Sequence, residues 1–137
     1  MNRGDFSLIF LPTLECDARC DYCFEDRSAP PISLEDFTAV FSRVLDFMDA
    51  RRMGTLHLHW QGGEVFTLAS AWVEEADRII CALSGARNRR TINHLQSNLL
   101  AYGPKWLPVI TGMFNNSVGT SMDFPNRHRR MPGGTPE

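Results

Sequence analysis

No stretch of this 137-residue sequence is long and apolar enough to cross a bilayer. The apolar N-terminal run, Phe6 to Leu14, is nine residues long and contains Pro12, against the roughly 20 residues a membrane-spanning helix needs. No small-residue cleavage site follows it, so a secretory leader is not read either, and the expectation is a cytoplasmic protein with no membrane partner. An excess of charge is lacking too: 16 acidic against 14 basic residues leave a net −2 and a pI near 6.1. That balance gives no general attraction for nucleic acid, and none is expected as a partner. Cysteine is scarce, at four residues, and three of the four fall between Cys16 and Cys23. Short loops of this kind in a reducing compartment favour metal ligation over disulfides. Cys81 stands apart in an apolar helical stretch and reads as a small buried hydrophobe.

What is present is ordinary globular material, 43% hydrophobic and 22% charged. A chain of this size buries about two-thirds of the surface its unfolded form exposes, and one domain spanning 1–137 is the default. Phe6 to Leu14 is strand-like and leads directly into the cysteine cluster. Ser33 is an N-cap with Asp36 three residues on, and Phe37, Val40, Phe41, Val44, Phe47 and Met48 recur at helical spacing up to Gly54. Thr55 to Trp60 alternates as a second strand, Gly62-Gly63 breaks it, and Val73, Ala76, Ile80 and Leu83 mark a second helix closing near Gly85. A third strand is read at Ile92 to Asn98, a helix around Trp106 to Phe114, and a fourth strand at Val118 to Asp123. Pro104 and Pro108 cannot both lie in the first turn of that third helix.

Strands alternating with helices at this spacing imply a parallel α/β sheet with ligands at the strands' C-terminal ends. After the fourth strand come Arg127-His128-Arg129-Arg130 and Pro132-Gly133-Gly134, and no closing element follows. A full (β/α)8 barrel takes about 250 residues, so the expectation is the N-terminal half of a partial barrel whose C-terminal half is missing.

Cys16-Asp17-Ala18-Arg19-Cys20-Asp21-Tyr22-Cys23 places three thiolates on one loop as Cys-x3-Cys-x2-Cys. Such a triplet can hold three irons of a [4Fe–4S] cubane and leave the fourth iron for an outside ligand. A structural zinc site needs four protein ligands, which requires a distant fourth from His57, His59 or His94.

The cysteine spacing, with Tyr22 before the third cysteine, resembles the signature of the radical S-adenosylmethionine superfamily. Three further segments follow in that family's order. Trp60-Gln61-Gly62-Gly63-Glu64 is similar to its Gly-Gly-Glu-Pro segment, Gln96-Ser97-Asn98 to its Gln-Thr-Asn-Gly, and Gly119-Thr120-Ser121-Met122-Asp123 to its Gly-x-Ser-Leu-Asp-Gly. Within the family, the branch resembled is that of the anaerobic sulfatase-maturating and other SPASM-type peptide-modifying enzymes. Val65, Leu99 and Phe124 depart from the pattern, standing where the family has Pro, Gly and Gly.

The resemblance implies a partial (β/α)6 barrel of about four parallel strands with outer helices. It implies Cys16, Cys20 and Cys23 as cluster ligands, and Tyr22, Gln61, Gly62, Gly63, Glu64, Asn98 and Ser121 around S-adenosylmethionine. Glu64 would hold the cofactor's amino group, Gln96 and Ser121 are further contacts, and Arg129 or Arg130 matches the arginine that grips its carboxylate. Asp123 is the implied catalytic residue, taking a proton as the substrate radical is oxidised. Phe24 would shield the cluster. The implied activity is oxidoreductase-type: reductive cleavage of the cofactor to a 5′-deoxyadenosyl radical that abstracts hydrogen from a peptide or protein side chain. Flavodoxin or ferredoxin would be the electron donor.

Strand parity bears on the site separately, since residues two apart share a face. Leu56, Leu58 and Trp60 form one face of the second strand and His57, His59 and Gln61 the other. His94, Gln96 and Asn98, then Gly119, Ser121 and Asp123, continue that polar face. Arg87 to Arg90 reads as a solvated loop. Two other classes stay open: a non-catalytic metal-binding module, and an inactive or partner-dependent fragment whose barrel is completed by another chain.

Overall fold

The computed structural model describes residues 4–131 and Gly133. Strand β1 (Phe6–Phe10) is followed by α1 (Leu34–Ala50), β2 (Thr55–Trp60), α2 (Ser70–Ala86), β3 (Arg90–Leu95) and α3 (Leu107–Gly112). One-turn 3-10 helices at Val65–Thr67 and Pro104–Trp106 precede α2 and α3. The three strands form one parallel sheet in the order β1-β2-β3, with Phe10 opposite Trp60 and Trp60 opposite Leu95.

Helix α1 begins where the capping signal places it. The Ser33 hydroxyl accepts the Asp36 backbone N–H at 3.0 Å and donates to the Asp36 carboxylate at 2.8 Å, so an orphan donor of the first turn is satisfied by a side chain pinned in place. Its apolar stripe, Phe37, Phe41, Leu45 and Met48, is buried, as are Val73, Ala76 and Ile80 of α2. Both stripes meet the sheet face formed by Leu56, Leu58 and Trp60, all buried. Trp60 is the hub: its ring lies 5.0 Å from Phe10 and 6.1 Å from Phe114, and its Nε1–H donates to Asn93 Oδ1 at 3.0 Å.

Several expectations change, the third strand among them, which runs from Arg90 to Leu95 rather than from Ile92 to Asn98. Strand β1 ends at Phe10 rather than Leu14, because Thr13 and Glu15 turn their carbonyls to the Gly63 and Glu64 N–H groups instead of a strand ladder. The two prolines of the third helical region each open a turn of their own, Pro104 the 3-10 turn and Pro108 the α3 helix; separate first turns resolve the steric conflict. The fourth strand reduces, among the described residues, to a single parallel bridge between Gln96 and Gly119. The Gly119 N–H donates to Leu95 O at 2.8 Å, and the Gly119 carbonyl accepts the Ser97 N–H at 3.0 Å. A Cβ at Gly119 would sit 2.4 Å from Gln96 Oε1, and past it the Gln96 side chain, not the backbone, reaches across to Ser121.

A further change concerns side chains. Cys81 is exposed rather than buried, with its thiol 3.9 Å from Asp77 Oδ1. Arg87 and Arg89 are not simply solvated either. Arg87 pairs with Asp46 and Arg89 with Asp49, both at 2.7 Å, and Arg87 also donates to Ser42 O. The loop between α2 and β3 is thereby clamped to α1.

Candidate functional site

The face of the sheet away from the helices carries Ile9, 63% exposed, with His57, His59 and His94. The imidazoles stack, His59 on His94 at 4.6 Å between centroids, and His57 Nδ1 lies 3.1 Å from His94 Nε2. Burial, then the neighbouring His59 and His57, hold the His94 pKa below its ordinary value. A polar face stands here where a purely structural barrel interior would be filled with branched apolar residues.

At the C-terminal ends of the strands the loops enclose a cavity of about 310 Å³. From β1 come Cys16, Cys20, Tyr22 and Cys23; from β2, Gln61, Gly62, Gly63 and Glu64; from β3, Gln96, Ser97 and Asn98; beyond the bridge, Ser121 and Arg129. Every residue expected to bind cluster or cofactor thus lines one space. Asp123 is not among the lining residues and stands beside it, accepting the Tyr22 hydroxyl at 3.2 Å and facing Arg129 Nε at 3.2 Å. Arg130 turns outward to Asp21, and of the Gly133-Gly134-Thr135 segment only Gly133 lies within the described residues.

The cysteine loop is shaped by its own backbone. Cys23 N–H donates to Cys20 O at 3.2 Å, and Ala18 N–H points at Cys16 Sγ at 3.4 Å. The Arg19 guanidinium folds back on the Cys16 and Ala18 carbonyls at 2.7 and 2.8 Å. No group of three or more Cys, His, Asp or Glu side chains among the described residues stands in a metal-holding arrangement; the three thiols open onto one cavity. Their environments differ. Burial pushes the Cys16 thiol up, against the Ala18 N–H. Burial also acts on Cys23, but the Glu25 backbone N–H and the Arg27 guanidinium outweigh it and bring that thiol below its usual range. Arg27 lines the cavity and was not singled out by the sequence; its only signal there is a cation four residues after Cys23.

Gly62 and Gly63 are required by close approach of chain to chain. Gly62 has φ +125°, and a Cβ there would sit 2.3 Å from Thr13 O; at Gly63 it would sit 2.0 Å from Glu15 O. Gly63 and Glu64 N–H groups donate to those same two carbonyls at 3.0 and 2.7 Å, so the pair locks the stem of the cysteine loop to β2.

Glu64 is 2% exposed, and its carboxylate is a bracket between two strand ends. Oε1 accepts Phe66 N–H at 3.0 Å and the Ser97 hydroxyl at 2.8 Å; Oε2 accepts Asn98 N–H at 2.7 Å. Burial pushes its pKa up despite those three donors. A carboxylate has about four acceptor positions, so three donors leave one for a further donor. Val65, in the place of the family proline, is the first residue of a 3-10 turn capped by Glu64. Proline suits that position because the N–H there has no partner within the turn. Leu99, in the place of a family glycine, takes φ +66°. Asn98 Nδ2 donates to Asp17 Oδ1 at 2.9 Å, tying the β3 end to the cysteine loop.

Tyr22 is half exposed. Burial first, with the charges of Cys20 and Asp123 and the bond to Asp123, pushes its hydroxyl up to about 12, against Arg129; it remains a proton donor at neutral pH. Phe24 is 91% exposed and lines the cavity's edge.

No family model matches the chain, and no curated protein matches it in sequence. Solved structures do match in fold. Native anSMEcpe, an anaerobic sulfatase-maturating enzyme, with bound AdoMet and Cp18Cys peptide superposes with a TM-score of 0.78 at 24% identity. A hexahistidine-tagged form of anSMEcpe with bound AdoMet gives 0.77 at 23%. Each match covers 97% of this chain and 37% of the other. The fold is therefore that of part of the barrel in these matched structures, three parallel strands with helices outside.

Proposed function

We propose that this chain is the cluster- and cofactor-binding domain, residues 1–137, of a radical S-adenosylmethionine enzyme related to the sulfatase-maturating branch. One observation carries this: three strand-end segments and the segment past the Gly119 bridge, met in the family's order along the sequence, line a single cavity in a fold shared with AdoMet-bound structures. The donor set suits the groups it would hold. Three cysteines line the cavity with no fourth cysteine and no histidine among its described lining residues, Glu64 keeps one acceptor position for an ammonium, and Arg129 offers a cation to a carboxylate.

When bound, the reduced cluster and cofactor supply the 5′-deoxyadenosyl radical that abstracts hydrogen. The chain's own part is placement and shielding. Cys16, Cys20 and Cys23 would ligate three irons, with Arg27 favouring the thiolate at Cys23. Gln61, Gly62, Gly63 and Asn98 form the floor under the cofactor, with Gln96 and Ser121, bonded to each other at 2.9 Å, as polar contacts. Tyr22 packs beside the adenine. Asp123, beside the cavity, would serve as the proton acceptor toward the substrate.

The substrate in this reading is a peptide or protein side chain presented to the open histidine-bearing face. The electron donor is a flavodoxin or ferredoxin, and the compartment is the reducing cytoplasm. No helix among the described residues is long and apolar enough to cross a membrane. The anaerobically reconstituted chain is expected to bind S-adenosylmethionine and, given a reductant and the protein that completes the barrel, to release 5′-deoxyadenosine. Metal analysis returning one zinc per chain and no iron would replace this with the non-catalytic metal-binding reading.

A specific observation favours partner dependence over autonomous turnover. The sheet's helix-free face and the outer edge of the Gly119 bridge have no cover among the described residues, and the matched enzymes are much longer chains. Cofactor binding belongs to this chain, and full turnover requires protein that completes the barrel.

A further inference from the structure

The segment after the bridge does more than cross the cavity mouth. Asp21 N–H donates to His128 O at 2.8 Å and Arg19 N–H to Arg130 O at 2.7 Å. Paired residues thus run in opposite directions, as in a two-rung antiparallel ladder between this segment and the cysteine loop. Side chains add to it, His128 and Arg130 both facing the Asp21 carboxylate at 3.6 and 3.8 Å. Arg129 sits between the two rungs, its own N–H donating to Asn126 Oδ1 at 3.1 Å. Its backbone is therefore fixed on both sides.

Its side chain is fixed as well. Asp123 Oδ2 lies 3.2 Å from Arg129 Nε, the same oxygen accepts the Tyr22 hydroxyl at 3.2 Å, and the guanidinium stands over the Tyr22 ring at 5.9 Å. The Arg129 side chain is only 16% exposed and lines the cavity, whereas Asp123 does not line it. A flexible arginine loses rotamer freedom when it captures an anion, and prior fixation removes that cost from the binding step.

Resting on the function proposed above, we infer that Asp123 and Tyr22 are positioning residues that hold the Arg129 guanidinium as a preformed receptor for the cofactor's carboxylate. This role belongs to binding and is separate from any proton Asp123 takes later. A carboxylate at ion-pair distance from Nε draws the guanidinium to one side, and the aromatic ring beside it narrows the range of orientations left.

Binding to the reconstituted chain, without turnover, tests this with two probes. S-adenosylhomocysteine carries the amino-acid end; 5′-methylthioadenosine is the corresponding nucleoside thioether without it. Asp123→Asn is expected to weaken S-adenosylhomocysteine about tenfold, the scale of one well-placed charge-assisted contact, and to leave 5′-methylthioadenosine unchanged. Tyr22→Phe, which keeps the ring, is expected to weaken the first probe about threefold. The double variant Asp123→Asn/Arg129→Ala is expected to bind no more weakly than Arg129→Ala alone. Unchanged or tighter binding of S-adenosylhomocysteine by Asp123→Asn overturns the inference, as do additive losses or equal loss of both probes. Failure of the parent chain to bind S-adenosylhomocysteine at all would instead remove the cofactor reading on which it rests.

Discussion

Glu64 shows what a single side chain does at this site. Its carboxylate meets three donors from two strand ends while almost fully buried, so it fastens β2 to β3 before any ligand is present. Glu64→Gln replaces one oxygen by an NH2 group and sets donor against donor. We expect a loss of about 1–3 kcal/mol, read as a lower melting temperature of the metal-free chain. Leu99 carries the opposite sign. It holds φ +66° and is well exposed, so it has strain and little burial to lose; Leu99→Gly should stabilise by about 1 kcal/mol in urea unfolding. That the expected residues line one cavity was legible because their types follow a pattern: three cysteines on one short loop, glycines where two backbones meet. Arg27 was not, since an isolated cation has no pattern until the fold brings it to the cavity.

At the scale of elements, period and caps were enough for most of the architecture. Ser33 with Asp36 started α1 correctly, and the alternation Leu56, Leu58, Trp60 against His57, His59 gave the correct faces of β2. The reading failed where backbone groups bond outside the ladder. Thr13 and Glu15 bond to the Gly63-Glu64 turn, which no periodicity announces, and the segment after Gly119 bonds through the Gln96 side chain. Arg87 and Arg89 looked like loop charges because their partners, Asp46 and Asp49, lie some 40 residues away. The histidine face yields a pH prediction. His94 has a folded-state pKa below its ordinary 6.5, so folding disfavours its charged form. Its contribution is complete above the unfolded value and is lost as pH falls through it toward the folded value. Melting temperature should therefore drop between about pH 7.5 and 5.5, and His94→Gln should flatten that drop in a fluorescence melt.

At the scale of the whole molecule, the chain carries a built cavity beside an unfinished surface. Ile9, Phe24, Met122 and Phe124 are all more than 60% exposed, and β1 and the Gly119 bridge leave strand edges without partners among the described residues. Apolar surface next to open edges favours association. Sedimentation velocity should show a concentration-dependent rise in sedimentation coefficient, reduced by Ile9→Lys together with Phe124→Asp. A strictly monomeric chain at all concentrations would count against partner dependence.

Cluster binding with an open iron is the claim from which the others descend. The most direct test is the electron paramagnetic resonance spectrum of the anaerobically reconstituted, dithionite-reduced chain, recorded before and after S-adenosylmethionine is added. The account predicts a [4Fe–4S]+ signal whose g-values shift on addition. A silent spectrum, or a cluster signal indifferent to the cofactor, would contradict it.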